Sequence, residues 1–448
     1  MIALCAPEHA LHAPAFEIYR GDRVPCFESP RRVEVVLGEL AARGHEIRRP
    51  ATDSTALLAQ VHTPRYLAFL ESAWSQWLAI DPANADVQPF PSVWPVRTLR
   101  SDVEPRNFTA RLGLYSMDNG SPLVAGTWAA AKAGADAAAS AAVLVSAGTR
   151  AAFCTTRPPG HHAGADFMGG YCFLNNAAVA AEGLCAGGAA RVAVLDVDYH
   201  HGNGTQSIFY DRADVLFASV HGDPMTEYPF YLGHVDEIGA GAGEGFNLNL
   251  PLPAGSSTEA WFAALDVACA RIERHHADAL VVSLGLDTFA GDPISTFALT
   301  TSDYLALGAR LARLKLPTVL VLEGGYAAAE LGANAANVLE AFAHAGSAVR
   351  RRGSATRRSC GRPCGRRRGS RGTRFSPSAG RRHRPPPSCS TPVPARVMWR
   401  PRHRPPRSDR RAGAETPPYP SRRCCAPMPA GSSARRSCPR ARWRKWRT

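Results

Sequence analysis

Between Val194 and Gly204 the chain reads VLDVDYHHGNG, an apolar run that leads into Asp196, Asp198 and His200 at alternate positions. Residues two apart in extended backbone point the same way, so Asp198 and His200 can close on one cation from one side. RPPGHHAG, from Arg157 to Gly164, adds the adjacent pair His161 and His162, and LVVSLGLDTFAGDP, from Leu280 to Pro293, adds Asp287 just past another apolar run. Asp198, His200 and Asp287 together make the three-ligand nitrogen and oxygen set that holds a catalytic zinc and leaves one position for water. The rival reading of Asp198 and His200 is that they only cap turns or helices. Amide hydrolysis also needs a base for the water proton and an acid for the leaving amine. His161 and His162 suit those tasks if each ring is oriented through its far nitrogen, and Asp196 and Asn203 are the nearest partners for that. In TVLVLEGGY, Gly324 and Gly325 let the backbone pass close to a ligand, and Tyr326 offers a phenol to a developing oxyanion. Taken alone, EGGY equally suits a core tyrosine after a turn.

The elements that must carry these groups follow from hydrophobic periodicity. Apolar runs at 151–155, 192–197, 215–220, 280–284 and 318–322 alternate with helical patterns at 175–186, 258–276, 302–314 and 327–345. Strands apolar on both faces and separated by helices predict a mainly parallel sheet in a layered α/β domain. Ligands of such sheets bind beyond the carboxyl ends of the strands, where the polar motifs fall. Upstream, Met1–Cys5 reads as a short strand, and Pro30–Arg43, 65–79 and the Ala-rich 127–147 read as helices. Residues 80–126 are rich in Pro, Asn, Asp and Trp with little periodicity, which predicts a functional or interface insertion.

Composition divides the chain near residue 349. Residues 1–349 hold 22 Lys+Arg and 36 Asp+Glu, a net of −14, whereas residues 350–448 hold 30 and 2, a net of +28. A folded domain is expected over 1–347 and a disordered Arg/Pro-rich tail over 348–448. Arg runs attract phosphates, so the tail is a candidate nucleic-acid arm. Its Arg, Pro, Ser, Gly and Cys bias is also what an out-of-frame reading of GC-rich DNA produces. The domain's six cysteines lack a CxxC pair, and no secretory signal precedes them, so reduced thiols and a cytoplasmic location are expected. No apolar run approaches the roughly 18 residues of a membrane span.

RPPGHH, DVDYHHGNG, GLDTFAGDP and EGGY in combination resemble the zinc-dependent histone deacetylase superfamily, over about residues 1–345, and most of all its bacterial acetylpolyamine amidohydrolases. The resemblance implies a three-layer arginase/deacetylase-like α/β fold and removal of acetyl groups from acetylated polyamines or similar small amines by metal-activated water. Protein-lysine deacetylation is the alternative. It implies Zn(2+) on Asp198, His200 and Asp287, His162 as general base beside His161, and Tyr326 polarising the scissile carbonyl. It further implies a structural K(+) on Asp196, Ser219 and the main-chain oxygens of Asp198, His200 and Val220. Tyr171 and Tyr228 would wall a substrate tunnel that Gly170 and Ile294 also line, Ile294 standing where the eukaryotic polyamine deacetylase has an acidic residue. Glu17 and Glu104 match acidic entrance positions. The 80–126 insertion resembles the loop through which acetylpolyamine amidohydrolases dimerise, so a homodimer acting on a small cationic acetylated amine is expected. The domain's net negative charge would draw in such a cation.

Overall fold

The computed structural model describes residues 1–353, all within the first of two units into which the chain divides, Met1–Arg362. Ten strands are present among them: β1 (Ile2–Leu4), β2 (Glu17–Tyr19), β3 (Asp22–Val24), β4 (Glu46–Arg48), β5 (Ala151–Cys154), β6 (Val192–Asp196), β7 (Val215–Gly222), β8 (Asn247–Leu252), β9 (Ala279–Leu284) and β10 (Thr318–Leu322). Eight form one sheet in the order β4-β1-β5-β10-β9-β6-β7-β8, with every pairing parallel. β2 and β3 make a separate antiparallel hairpin.

Side chains alternate along a strand, so each central strand feeds two cores. Val192 and Val194 of β6, with Val319 and Val321 of β10, join one cluster. Ala193 and Leu195, with Leu320 and Leu322, join the other. A parallel sheet buried on both faces must be covered by helices on both. On the first face lie α2 (Thr55–Val61), α3 (Pro64–Ile80), α4 (Phe108–Leu114), α5 (Thr127–Ser146) and α6 (Asn176–Ala186). On the second lie α1 (Arg31–Ala42), α8 (Thr258–His275), α9 (Asp303–Arg313) and α10 (Ala328–Gly353). The three layers match the expected α/β class.

Helix α7 (Asn203–Phe209) begins inside the HHGNG segment. The expected irregular insertion at 80–126 contains α4 and a 3-10 turn at Pro82–Asp86. Residues 348–353, expected at the start of a disordered tail, are the last turns of α10, and the rest of that stretch lies outside the described residues. No helix among the described residues is long and apolar enough to cross a membrane, and their six cysteines form no disulfide.

The four strands whose ends carry the polar motifs are β5, β10, β9 and β6, which are consecutive neighbours in the sheet. Because they run parallel, their carboxyl ends meet at one edge. Strand pairing thereby gathers residues more than 160 positions apart in sequence, such as His161 and Tyr326.

Candidate active site

Asp198 and His200 follow β6, and Asp287 follows β9. One ligand atom from each lies within 4.8 Å of the others, and Asp198 and Asp287 are fully buried. His200 Nδ1 sits 3.0 Å from Asp287 Oδ2 and 3.4 Å from Asp198 Oδ1. The remaining carboxylate oxygens are held by backbone: Tyr199 N–H donates to Asp287 Oδ1 at 2.8 Å, and Gly324 N–H to Asp198 Oδ2 at 2.8 Å. Gly324 has to be glycine, since a Cβ there would stand 2.6 Å from both Asp198 Oδ2 and Asp287 Oδ2. Burial opposes a charge on His200, yet Asp198 and Asp287 push the ring up to about 10. Burial, with the Asp198 charge beside it, raises Asp287. Two buried carboxylates and one imidazole therefore favour a positive charge at their centre, and the oxygen and nitrogen donor set fits a divalent metal such as zinc.

His161 and His162 come from the loop after β5, with ring centroids 4.0 Å apart. His161 Nδ1–H donates to Asp196 Oδ2 at 3.0 Å, and His162 Nδ1–H to Asn203 Oδ1 at 2.7 Å, so the structure brings together both orienting pairs that the sequence suggested. The two rings are electrostatically unlike. For His161, burial is outweighed by the Asp198 and Asp196 carboxylates, which raise it to about 10. For His162, burial together with the charges on His161 and His200 holds the ring well below its ordinary value. The surroundings thus favour a proton on His161 and oppose one on His162.

His161, His162, His200 and Asn203 line the floor of a cavity of about 690 Å³. Tyr326, Tyr171, Tyr228, Gly170 and Ile294 all line it, as does Glu17 of β2. Gly170 adopts φ 51°, and a Cβ there would lie 2.4 Å from His162 Cδ2 and 2.9 Å from the Tyr228 hydroxyl. Burial pushes the Tyr326 phenol well above the usual tyrosine range, which keeps it a donor. Tyr171 O–H donates to Glu17 Oε1 at 3.0 Å, while Glu17 Oε2 is buried with no hydrogen-bond partner. Glu104 is not among the lining residues; its Oε1 stands 3.7 Å from Arg111 Nη1 at the surface of the insertion. Asp196 and Ser219 are cross-strand partners of β6 and β7, both fully buried.

Several residues of the site were not singled out by sequence. Asp118, from the insertion, lines the cavity and accepts from Tyr228 O–H at 2.6 Å and Gly170 N–H at 3.1 Å. Met117 lines it beside Asn203. Glu323 is fully buried and accepts from Gly160 N–H at 2.7 Å and His161 N–H at 3.2 Å, and burial raises it to about 7. Asp292 accepts the Tyr326 N–H at 2.7 Å. Glu323 and Asp292 lie inside the quoted motifs, a signal that could have marked them. Met117 and Asp118 sit in a segment without periodicity and had none.

Residues 26–342 match the histone deacetylase domain. The chain is 50% identical over 343 residues to acetylpolyamine amidohydrolase 2 of Pseudomonas aeruginosa, covering 76% of this chain and 98% of that protein. It is 43% identical over 344 residues to the acetylpolyamine amidohydrolase of Mycoplana ramosa, covering 77% of this chain and 100% of that one. A crystal structure of an acetylpolyamine aminohydrolase from Burkholderia pseudomallei superposes with a TM-score of 0.73 at 41% identity, covering 77% of this chain and 99% of that chain.

Proposed function

The chain belongs to the histone deacetylase family, and from that premise we propose that it hydrolyses the acetyl amide of acetylated polyamines or similar small amines. The observation that carries the substrate assignment is the cavity itself, which joins the His162, His200 and Tyr326 floor to two carboxylates, Glu17 and Asp118, through tyrosine walls. An acetyl group at the floor leaves a methylene chain between Tyr171 and Tyr228 and a distal ammonium near the carboxylates. The apolar Ile294 adds no charge to that path.

Asp198, His200 and Asp287 would hold a zinc ion, which when bound supplies Lewis acidity to water and to the scissile carbonyl. His162, neutral and oriented by Asn203, takes the proton of the attacking water. His161, oriented by Asp196, stands beside it, and a protonated histidine of the pair gives its proton to the departing amine. Tyr326 donates to the oxyanion as it develops.

Two further assignments belong to the same reading. Asp196, Ser219 and the main-chain oxygens of Asp198, His200 and Val220 would hold a structural potassium ion, a role supported by the buried cross-strand pairing of Asp196 with Ser219. The insertion exposes Ile80, Val87, Val93, Val96, Leu99 and Val103, which supports its use as a homodimer contact that narrows the entrance.

The test is turnover by the zinc-loaded full chain of acetylputrescine and acetylspermidine against an acetyl-lysine peptide, with Asp287→Ala as control. Preference for the small amines, lost in the control, is the expected result. Preference for the peptide would move the protein to lysine deacetylation, and absence of turnover on every amide by folded, metal-loaded protein would sink the catalytic assignment.

A further inference from the structure

Asn203 presents Oδ1 to His162, but an amide can turn over and exchange its oxygen for its NH2. A neutral imidazole has one donor and one acceptor nitrogen, so it would satisfy either orientation. The group on the other side of Asn203 therefore decides. That group is the Met117 sulfur, 3.2 Å from Asn203 Nδ2 and 3.9 Å from the Tyr228 hydroxyl. Met117 is itself fixed, its N–H donating to Met168 O at 2.8 Å, which ties the end of the insertion to the loop that carries Gly170.

A thioether can accept a hydrogen bond and has none to donate. With sulfur at one end, only the orientation that turns NH2 toward Met117 and the carbonyl toward His162 satisfies both contacts. His162 must then carry its hydrogen on Nδ1, at 2.7 Å from Asn203 Oδ1, and its lone pair on Nε2. We infer that Met117 is a positioning residue which, through the Asn203 amide, selects the His162 tautomer whose Nε2 is free to take a proton from water. The inference rests on the proposed role of His162 as base. It gives the insertion a function at the chemistry as well as at the entrance.

Met117→Leu keeps the bulk and removes the acceptor, whereas Met117→Gln returns a carbonyl at similar reach. In the full chain, Met117→Leu should lower kcat about fivefold, the scale of one weak hydrogen bond, with KM moving less than about twofold, and Met117→Gln should recover most of the loss. In an Asn203→Ala background Met117→Leu should cost nothing further. Nitrogen-15 NMR of the ring nitrogens in metal-free protein gives a readout that needs no substrate: His162 should be an Nδ1–H tautomer in the native chain and a mixture in Met117→Leu. Equal kcat in Met117→Leu and native protein, equal losses in the Leu and Gln variants, the same loss without Asn203, or an unchanged tautomer would each overturn the inference. If no polyamine is turned over, the NMR arm still decides it, so its failure and that of the acetylpolyamine reading are distinguishable.

Discussion

Tyr326 is held by its backbone rather than by its hydroxyl. Its N–H donates to Asp292, and Arg32 Nε donates to Gly325 O at 2.6 Å while the same guanidinium also binds Glu323 O. The Arg32 cation lies 4.9 Å from the Tyr326 ring centroid, and the Gly324 N–H is fixed on Asp198. The clamp leaves the phenol oxygen as the part free to meet substrate. Tyr326→Phe removes that donor and none of the clamp. We expect kcat to fall by about 10²- to 10³-fold, with KM within about threefold and the melting temperature unchanged. Steady-state kinetics showing a loss under about tenfold would remove Tyr326 from oxyanion stabilisation. Tyr326 itself was legible in sequence because it ends a motif, and the pairs His161–Asp196 and His162–Asn203 because both partners lie in motifs. Arg32 was not: it sits in α1, and its tie to Glu323, just past β10, is created by packing across 291 positions.

The loops at the carboxyl edge need clips, because loops gain little from the cores. His62, between α2 and α3, is one: its Nδ1–H donates to Gly164 O at 2.9 Å and its Nε2 accepts from Asn175 N–H at 3.0 Å. Both ends of the loop that carries Gly170 and Tyr171 are thereby fixed. Within it Gly170 and Tyr171 are both left-handed, at φ 51° and 69°. Gly170→Ala combines an unfavourable φ with a Cβ driven into His162. A flexible tip could swing away, but the His162 ring is pinned by Asn203, so the ring or the loop must move. The expected result is a kcat loss of more than about tenfold with zinc stoichiometry unchanged, and wild-type turnover would show that the loop yields freely. The central strands were legible because burial on both faces leaves them continuously apolar. β8 was not, since NLNLPL carries Asn at the buried positions and a proline tolerated only at a sheet edge. α7 was hidden because its start carries Gly202 and Gly204, poor helix formers; that start is set by tertiary contacts, the N–H groups of Gly204 and Thr205 both donating to His161 O.

Across the whole molecule, acid should act through histidines buried as neutral rings. His12, His62 and His221 are each lowered to about 4, in every case first by burial. They tie different parts of the fold. His12 lies 3.0 Å from Thr127 Oγ1 at the start of α5. His221 Nε2–H donates to Gly233 O at 2.9 Å, with Ser219 Oγ 2.8 Å from its other nitrogen. An unfolded histidine titrates near 6.5, so between about 6.5 and 4 the unfolded chain binds protons that the folded chain refuses. Stability from these rings is therefore complete above the unfolded value and falls as pH drops through that window, by about 1.4 kcal/mol per pH unit for each ring. Acid also protonates the groups around the metal, so the decline of the native protein alone would not assign its cause. His62→Gln cannot charge. Melted beside the native chain at equal metal loading, it should start lower at pH 7, having lost one of its two clips, but decline less steeply from pH 6.5 to 4. Parallel curves would show that His62 titrates normally and that the acid sensitivity resides elsewhere. The test separates a cost paid by packing from one paid by chemistry, because His62 touches neither the cavity nor the metal ligands.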